Sequence, residues 1–266
     1  MSTIKEIQEE IIEEFNSFDD WMDRYQLLID LGSEQEPLDE AYKTDNNLIE
    51  GCQSRVWLQA DLMPDGTVRF LAEHKYNTVL IDVGDGIQYE SHPEISAPNA
   101  WNKDLLRQKL REMRALGLEP IPKLNFSTCH DTWMKKYRRM VSTPEYYAFC
   151  ADVIKEVCEV FDHPRFFHLG CDEETPGMQK NYEMIIVRNA QLWWHDFYFL
   201  CNECEKHGAR PWIWSDYLWK NEELFLKNMP KSVLQSNWFY ENIQPKRADG
   251  RYPQVAYQTY LELARM

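Results

Sequence analysis

The chain has 266 residues, 44% of them hydrophobic, with 10 Trp, 7 Cys and a formal net charge of −15. That is enough apolar material for one large core or two ordinary ones. No apolar run reaches the roughly 18 residues of a membrane span, and no basic patch offers itself to nucleic acid. The first segment is an acidic helix rather than a positive charge followed by an apolar run, so a cytoplasmic, non-exported protein is expected.

The charge is unevenly spread. Residues 1–73 hold 18 acids against 5 bases, and the remainder holds 26 against 24. Such asymmetry predicts two pieces of different origin, with a boundary at 72/73. The odd cysteine count, without small-domain spacing, fits reduced thiols. Cys201 and Cys204 form a Cys-x-x-Cys pair inside a helical pattern. With no second pair at ligand spacing, they are read as core residues.

In chain order, Ile4, Ile7, Ile11, Ile12, Phe15 and Phe18 recur at helical spacing. Ser17 or Asp19 can cap a second helix carrying Trp21, Tyr25, Leu28 and Ile29, which Gly32 ends. A loop runs through Pro37 to Gly51. Val56, Leu58, Ala60 and Leu62 then alternate with more polar neighbours as a half-buried strand, and Asp65-Gly66 turns it into a partner strand, Thr67 to Phe70. This is an α+β beginning.

Beyond residue 71 the pattern changes. Thr78 to Val83 is a largely apolar run, as expected of a strand buried on both faces. Lys103 to Leu116 reads as a helix stopped by Gly117, and Glu119 to Phe126 as a strand. Thr143-Pro144-Glu145 opens a helix through Val160, a cap followed by Pro at the first position. Arg165 to Gly170 is a strand, Asn189 to His207 a long helix closed by Gly208, and Arg210 to Ser215 and Ser232 to Asn237 further strands. Residues 254–266 carry a last strand-plus-helix fragment. Alternating strands and helices predict an α/β fold, here a (β/α) TIM-type barrel. Only five or six strands can be counted, so the barrel is expected to be incomplete. The sequence reaches Met266 before a strand that would close it.

Two stretches carry chemistry. Gly51-Cys52-Gln53-Ser54-Arg55-Val56-Trp57 places a cysteine on a tight loop at a strand entrance, beside an arginine that favours thiolate. A lone cysteine is more often a small buried hydrophobe. This one, together with Phe18-Asp19-Asp20-Trp21-Met22, Leu31-Gly32 and Leu48-Ile49-Glu50, closely resembles the N-terminal half of the SufE family of sulfur acceptors, over roughly residues 1–70. The resemblance implies that Cys52 takes sulfane sulfur from a cysteine desulfurase and carries it as a persulfide towards iron–sulfur cluster assembly, with Arg55 beside it. No metal or organic cofactor is expected.

In the second piece, a barrel would put its active site at the C-terminal ends of its strands. The residues there are Asp82 and Asp85, His130, Asp172-Glu173-Glu174, Asp216 and Trp238. Carboxylates and indoles gathered at one mouth suit a sugar, because rings stack and a protonated acid can release the leaving oxygen. Each could equally be an ordinary surface acid or core Trp. His168-Leu169-Gly170-Cys171-Asp172-Glu173 resembles the signature of glycoside hydrolase family 20, the β-N-acetylhexosaminidases. Asp82-Val83-Gly84-Asp85-Gly86, Trp212-Ile213-Trp214-Ser215-Asp216 and Val233 to Trp238 fit the same distant resemblance over about 74–265. It implies that Asp172 orients a substrate 2-acetamido group, that Glu173 is the general acid, and that Trp214 and Trp238 wall a pocket for an N-acetylated amino sugar. Asp85, His130 and Asp216 complete the expected sugar-binding set. Cys171 stands where the signature has a second Gly, Lys123 where an acid is usual, and the family's first strand is missing. The leading expectation is a sulfur acceptor with an appended hydrolase-like barrel. The alternatives are a glycosidase or carbohydrate-binding barrel, or a non-functional chimera.

Overall fold

The computed structural model describes residues 9, 12–14, 17, 38–47, 56–63, 68–74, 78–238, 245–251, 253 and 255–263. The chain forms two compact units, residues 1–76 and 77–266. The two expected N-terminal helices and Gly32 fall mostly outside the described residues, as do Cys52 and Arg55.

In the first unit, Asp39 opens a 3-10 turn at Glu40–Tyr42, its carboxylate accepting from the Ala41 N–H at 2.9 Å. A second 3-10 turn follows at Asp45–Asn47. Strand β1 (Val56–Leu62) pairs antiparallel with β2 (Val68–His74), from Val56↔His74 to Leu62↔Val68. The expected hairpin is therefore present. Its face is not the one the alternation suggests. Trp57 is buried at 8% exposure while Leu58 is 38% exposed, and Ala60 is exposed as well. A strand offers one face or the other with a period of two, and the indole, the largest apolar group on β1, takes the inner one.

The second unit is a five-stranded parallel sheet in sequential order: β3 (Thr78–Asp82), β4 (Glu119–Lys123), β5 (Phe166–His168), β6 (Arg210–Trp214) and β7 (Leu234–Ser236). Among the described residues β3 and β7 are its edges, so the sheet is open and the barrel incomplete. Helices α1 (Lys103–Ala115), α2 (Pro144–Val160), α3 (Ala190–Lys206) and α4 (Glu222–Asn228) occupy the four crossovers, and α5 (Val255–Leu263) follows β7.

The start signals act as their chemistry requires. Asn102, Thr143 and Asn189 accept from the Leu105, Tyr146 and Leu192 N–H groups, meeting donors that a helix start leaves unpaired. Gly117 and Gly208, at φ of +79° and +80°, take the left-handed turn after α1 and α3. The core lies between sheet and helices, where Phe167 and Ile213 share one cluster with Phe149, Val153, Val157 and Phe197. Cys201 and Cys204 are buried in it, as expected of core residues. No helix among the described residues is long and apolar enough to cross a membrane.

Two expectations change. The strands at Glu119 to Phe126 and Arg165 to Gly170 end at Lys123 and His168, although their backbones continue to pair. Leu124 and Phe126 N–H donate to His168 and Leu169 O at 3.0 Å, and Leu169 N–H to Trp212 O at 2.8 Å. Gly170, at φ +71°, breaks the pleat. At 254–266 the described residues hold α5 and no strand. Val255, Thr259 and Tyr257 favour a strand locally, but spacing that buries Gln258 and Thr259 together suits a helix.

Candidate functional site

The C-terminal ends of β3, β4 and β5 open onto a cleft of about 630 Å3. Its lining includes Asp82, Asp85, Lys123, Asn125, His130 and Asp172. Gly170 makes the arrangement possible. A Cβ there would lie 2.1 Å from Asn125 Oδ1 and 2.9 Å from its Cα, so only glycine lets β4 and β5 approach this closely. Asn125 is thereby placed to donate from Nδ2 to Asp172 Oδ1 at 2.7 Å. The Asp172 carbonyl accepts from Ser127 Oγ at 2.5 Å.

His130 is the hinge between the two expected carboxylates. Its Nε2 lies 3.1 Å from Glu173 Oε2 and 3.3 Å from Asp172 Oδ2. The structure therefore brings together His130, Asp172 and Glu173, with Asp85 in the same cleft. The three donor atoms lie within 4.8 Å of one another. The His130–Glu173 hydrogen bond, with Asp172 Oδ2 just beyond it, accounts for that closeness.

The backbone here is held in unusual conformations. Cys171 and Glu173 have φ of +68° and +57°, a region that side chains other than glycine occupy only when the surroundings enforce it. Several contacts do so. Glu173 N–H donates to Asp216 Oδ2 at 2.6 Å, and its carbonyl accepts from the Cys129 thiol at 2.8 Å. Arg188 clamps Glu174 with two nitrogens and reaches Asp196 at 3.0 Å. Asp196 also accepts from Ser142 Oγ at 2.6 Å and Tyr147 OH at 2.5 Å. Sequence reading missed Arg188 and Asn125. No local motif marks them, because their partners are set by the fold.

Asp216 and Trp238 line a second cavity, of about 310 Å3, together with Glu173, Tyr217 and Trp219. Burial, aided by the Asp172 and Glu173 charges and opposed by the Glu173 N–H bond, pushes the Asp216 carboxyl up to about 6. Trp214 lines neither cavity; its ring packs on His168 at 4.7 Å between centroids. His168 Nδ1 accepts from Gly170 N–H at 3.0 Å, and burial pulls its pKa down to about 3. Its imidazole is thus neutral and structural.

Lys123 and Lys135 introduce positive charge, at 2.7 Å from Asp82 and 2.6 Å from Asp85. Lys135 holds φ +50° and ψ −117°, a kink that brings its side chain back to Asp85. Cys171, which stands where the resembled signature has a second Gly, lines the second cavity.

Six cysteines of this unit are free and buried: Cys129, Cys150, Cys158, Cys171, Cys201 and Cys204. Burial pushes every one of these thiols up, Cys158 to about 12. None is prepared to act as a thiolate near neutral pH.

Residues 9–122 match the model of the family described as "SufE: Fe-S metabolism associated domain". The chain thus carries a SufE domain at its N-terminal end, and the match reaches past β3 to β4. Among solved structures, the chain is similar to a chitobiase of Flavobacterium johnsoniae, with 15% identity and a TM-score of 0.47, over 69% of this chain and 37% of that one. An exo-β-N-acetylglucosaminidase of Vibrio harveyi, solved with N-acetylglucosamine, shares 14% identity at 0.47, over 62% and 33%. A β-N-acetylhexosaminidase of Bacteroides fragilis shares 14% at 0.43, over 68% and 48%. The chain spans about a third of the length of the first two.

Proposed function

We propose that this chain is a sulfur acceptor in iron–sulfur metabolism, with Cys52 as the carrying thiol and a cysteine desulfurase as its partner. The observation that carries the reading is the SufE match over residues 9–122, which includes the Gly51 to Trp57 motif. The state of the remaining thiols supports it. Of seven cysteines, the six outside that match's motif are buried, with their protons held on.

In the step proposed, the Cys52 thiolate attacks the outer sulfur of the desulfurase persulfide. A new S–S bond forms, the old one breaks, and the desulfurase cysteine leaves as thiolate. The transfer is redox-neutral and needs no resident metal or organic cofactor. Arg55 supports the thiolate by charge. The working division is residues 1–72 for sulfur handling and 73–266 for the hydrolase-like unit.

The test is to incubate the protein with a cysteine desulfurase, cysteine and pyridoxal phosphate, then weigh its peptides. One added sulfur should fall on the Cys52 peptide and vanish in Cys52→Ser. Equal labelling of Cys129, Cys150 and Cys158 would sink the assignment.

A second reading rests on the juxtaposition of Asp172, Glu173 and His130 at the strand ends. It is a carbohydrate cleft, in which Glu173 is the acid, Asp172 orients an acetamido group, and Asp85, Asp216 and Trp238 contact the sugar, while Trp214, packed on His168 and lining neither cavity, does not. Because β3 is an open edge among the described residues, a chromogenic N-acetyl-β-glucosaminide should be cleaved barely above background. Turnover of about 1 per second, abolished by Glu173→Gln, would make hydrolysis the main activity.

A further inference from the structure

The second cavity differs in character from the first. Trp219 and Trp238 meet with centroids 4.5 Å apart and planes inclined at 63°, so they form a corner rather than a stack. The corner is fixed. Trp219 Nε1–H donates to Asn237 Oδ1 at 3.0 Å, and neighbouring Tyr217 is stacked on Trp193 at 3.9 Å.

Three acids line the same cavity, Glu173, Glu174 and Asp216, against one cation, the exposed Lys220. The Glu174 charge is already matched by buried Arg188. Among the described residues, Glu173 and Asp216 have no such guanidinium; Glu173 has only the His130 imidazole, at 3.1 Å on the side of the first cleft. Asp216 is only 9% exposed, and its Oδ1 has no hydrogen-bond partner among the described residues. Burial, reinforced by the Asp172 and Glu173 charges, pushes this carboxyl up to about 6.

We infer that this cavity binds a small organic ammonium ion, seated in the Trp219–Trp238 corner with Glu173 and Asp216 as its counter-charges. Indole faces attract cations through the ring quadrupole, most strongly where water is partly excluded. The ligand's charge also acts on Asp216 through space, without touching the buried Oδ1. A neutral sugar could stack on the indoles but would leave Asp216 without a positive neighbour, and an anion would be repelled by the carboxylates. At about 310 Å3 the cavity suits a ligand the size of one amino-sugar ring or smaller. The inference shares Glu173 and Trp238 with the carbohydrate reading but requires no hydrolysis.

The test uses the full chain and three probes: tetramethylammonium, glucosamine with its protonated amine, and neutral N-acetylglucosamine. Binding is read by calorimetry and by ligand-detected NMR. Both cations should bind, with N-acetylglucosamine weaker by about tenfold or more, and Glu173→Gln and Trp238→Ala should each weaken the cations about tenfold. Glu173→Gln preserves side-chain shape and guards against a folding defect in Trp238→Ala. Binding of N-acetylglucosamine as tight as glucosamine would overturn the inference and leave the carbohydrate reading standing. Cation binding without N-acetylglucosamine binding would do the reverse. Binding of no probe, or cation binding indifferent to Glu173→Gln, would also overturn it.

Discussion

The hairpin of the first unit and the sheet of the second bury their strands in different ways. In β1 burial alternates, with Trp57 inside and Leu58 and Ala60 outside. In β4, Pro120, Ile121 and Pro122 are all buried, because helices cover the sheet and every strand position meets protein. One consequence is tolerance. A half-buried antiparallel strand can absorb change on its outer face, whereas a parallel strand under helices has no free face.

The sharpest way to break this contrast is Gly170→Ala. The added Cβ would meet Asn125 at 2.1 Å in a left-handed conformation. The Asn125 backbone cannot move without shifting β4, so we expect destabilisation of about 5 kcal/mol, among the largest single-residue effects. A variant that melts with the parent would show that β4 and β5 are not closely apposed.

Arg188→Met comes next. It strands Glu174 and Asp196 in the interior, and breaking a buried pair costs about 3–5 kcal/mol. Chemical denaturation should show the loss, and hydrogen exchange should rise at residues 171–175, whose strained backbone this clamp secures. Phe167→Ala should cost about 3–5 kcal/mol, since its side chain is fully buried in the core. Leu58→Ala, on the outer face of β1, should cost less than about 1 kcal/mol. Equal losses for Phe167→Ala and Leu58→Ala would erase the distinction between the two kinds of strand.

A different kind of effect is a pH slope. Burial raises Asp216 to about 6, above the ordinary aspartate value near 4. Between these values the folded state keeps a proton that the unfolded chain has lost. Asp216 therefore favours the fold at low pH, and its contribution declines as pH rises from about 4 to 6, then stays flat. Asp216→Asn removes the dependence. Relative to the parent, this variant should gain roughly 2 kcal/mol between pH 4 and pH 7. A difference that does not change with pH would show that Asp216 is ionised throughout.

Much of the second unit was legible in the sequence. Thr143-Pro144 at the start of one helix, and Gly117 and Gly208 at the ends of two others, were readable because caps and stops are local chemistry, whereas Asn102 and Asn189 showed as caps only in the structure. The apolar runs located five parallel strands for the same reason. The Asp172-Glu173 pair and His130 were legible as strand-end residues. Three things were hidden. The inner face of β1 depends on what covers Trp57, not on alternation alone. The left-handed backbone at Cys171 and Glu173 is imposed by distant partners, which residue type cannot announce. The Lys123–Asp82 and Arg188–Asp196 pairs join residues that only the fold makes neighbours.

The central claim is that Cys52 is the one thiol prepared to react while the protein is folded. Brief alkylation of the native chain at pH 8, followed by peptide mapping, tests it directly. The account predicts a single fast adduct, on the Cys52 peptide, with the other six cysteines reacting only after denaturation. Fast adducts on Cys150, Cys171 or Cys204 in the folded protein, or a Cys52 as slow as these, would contradict it.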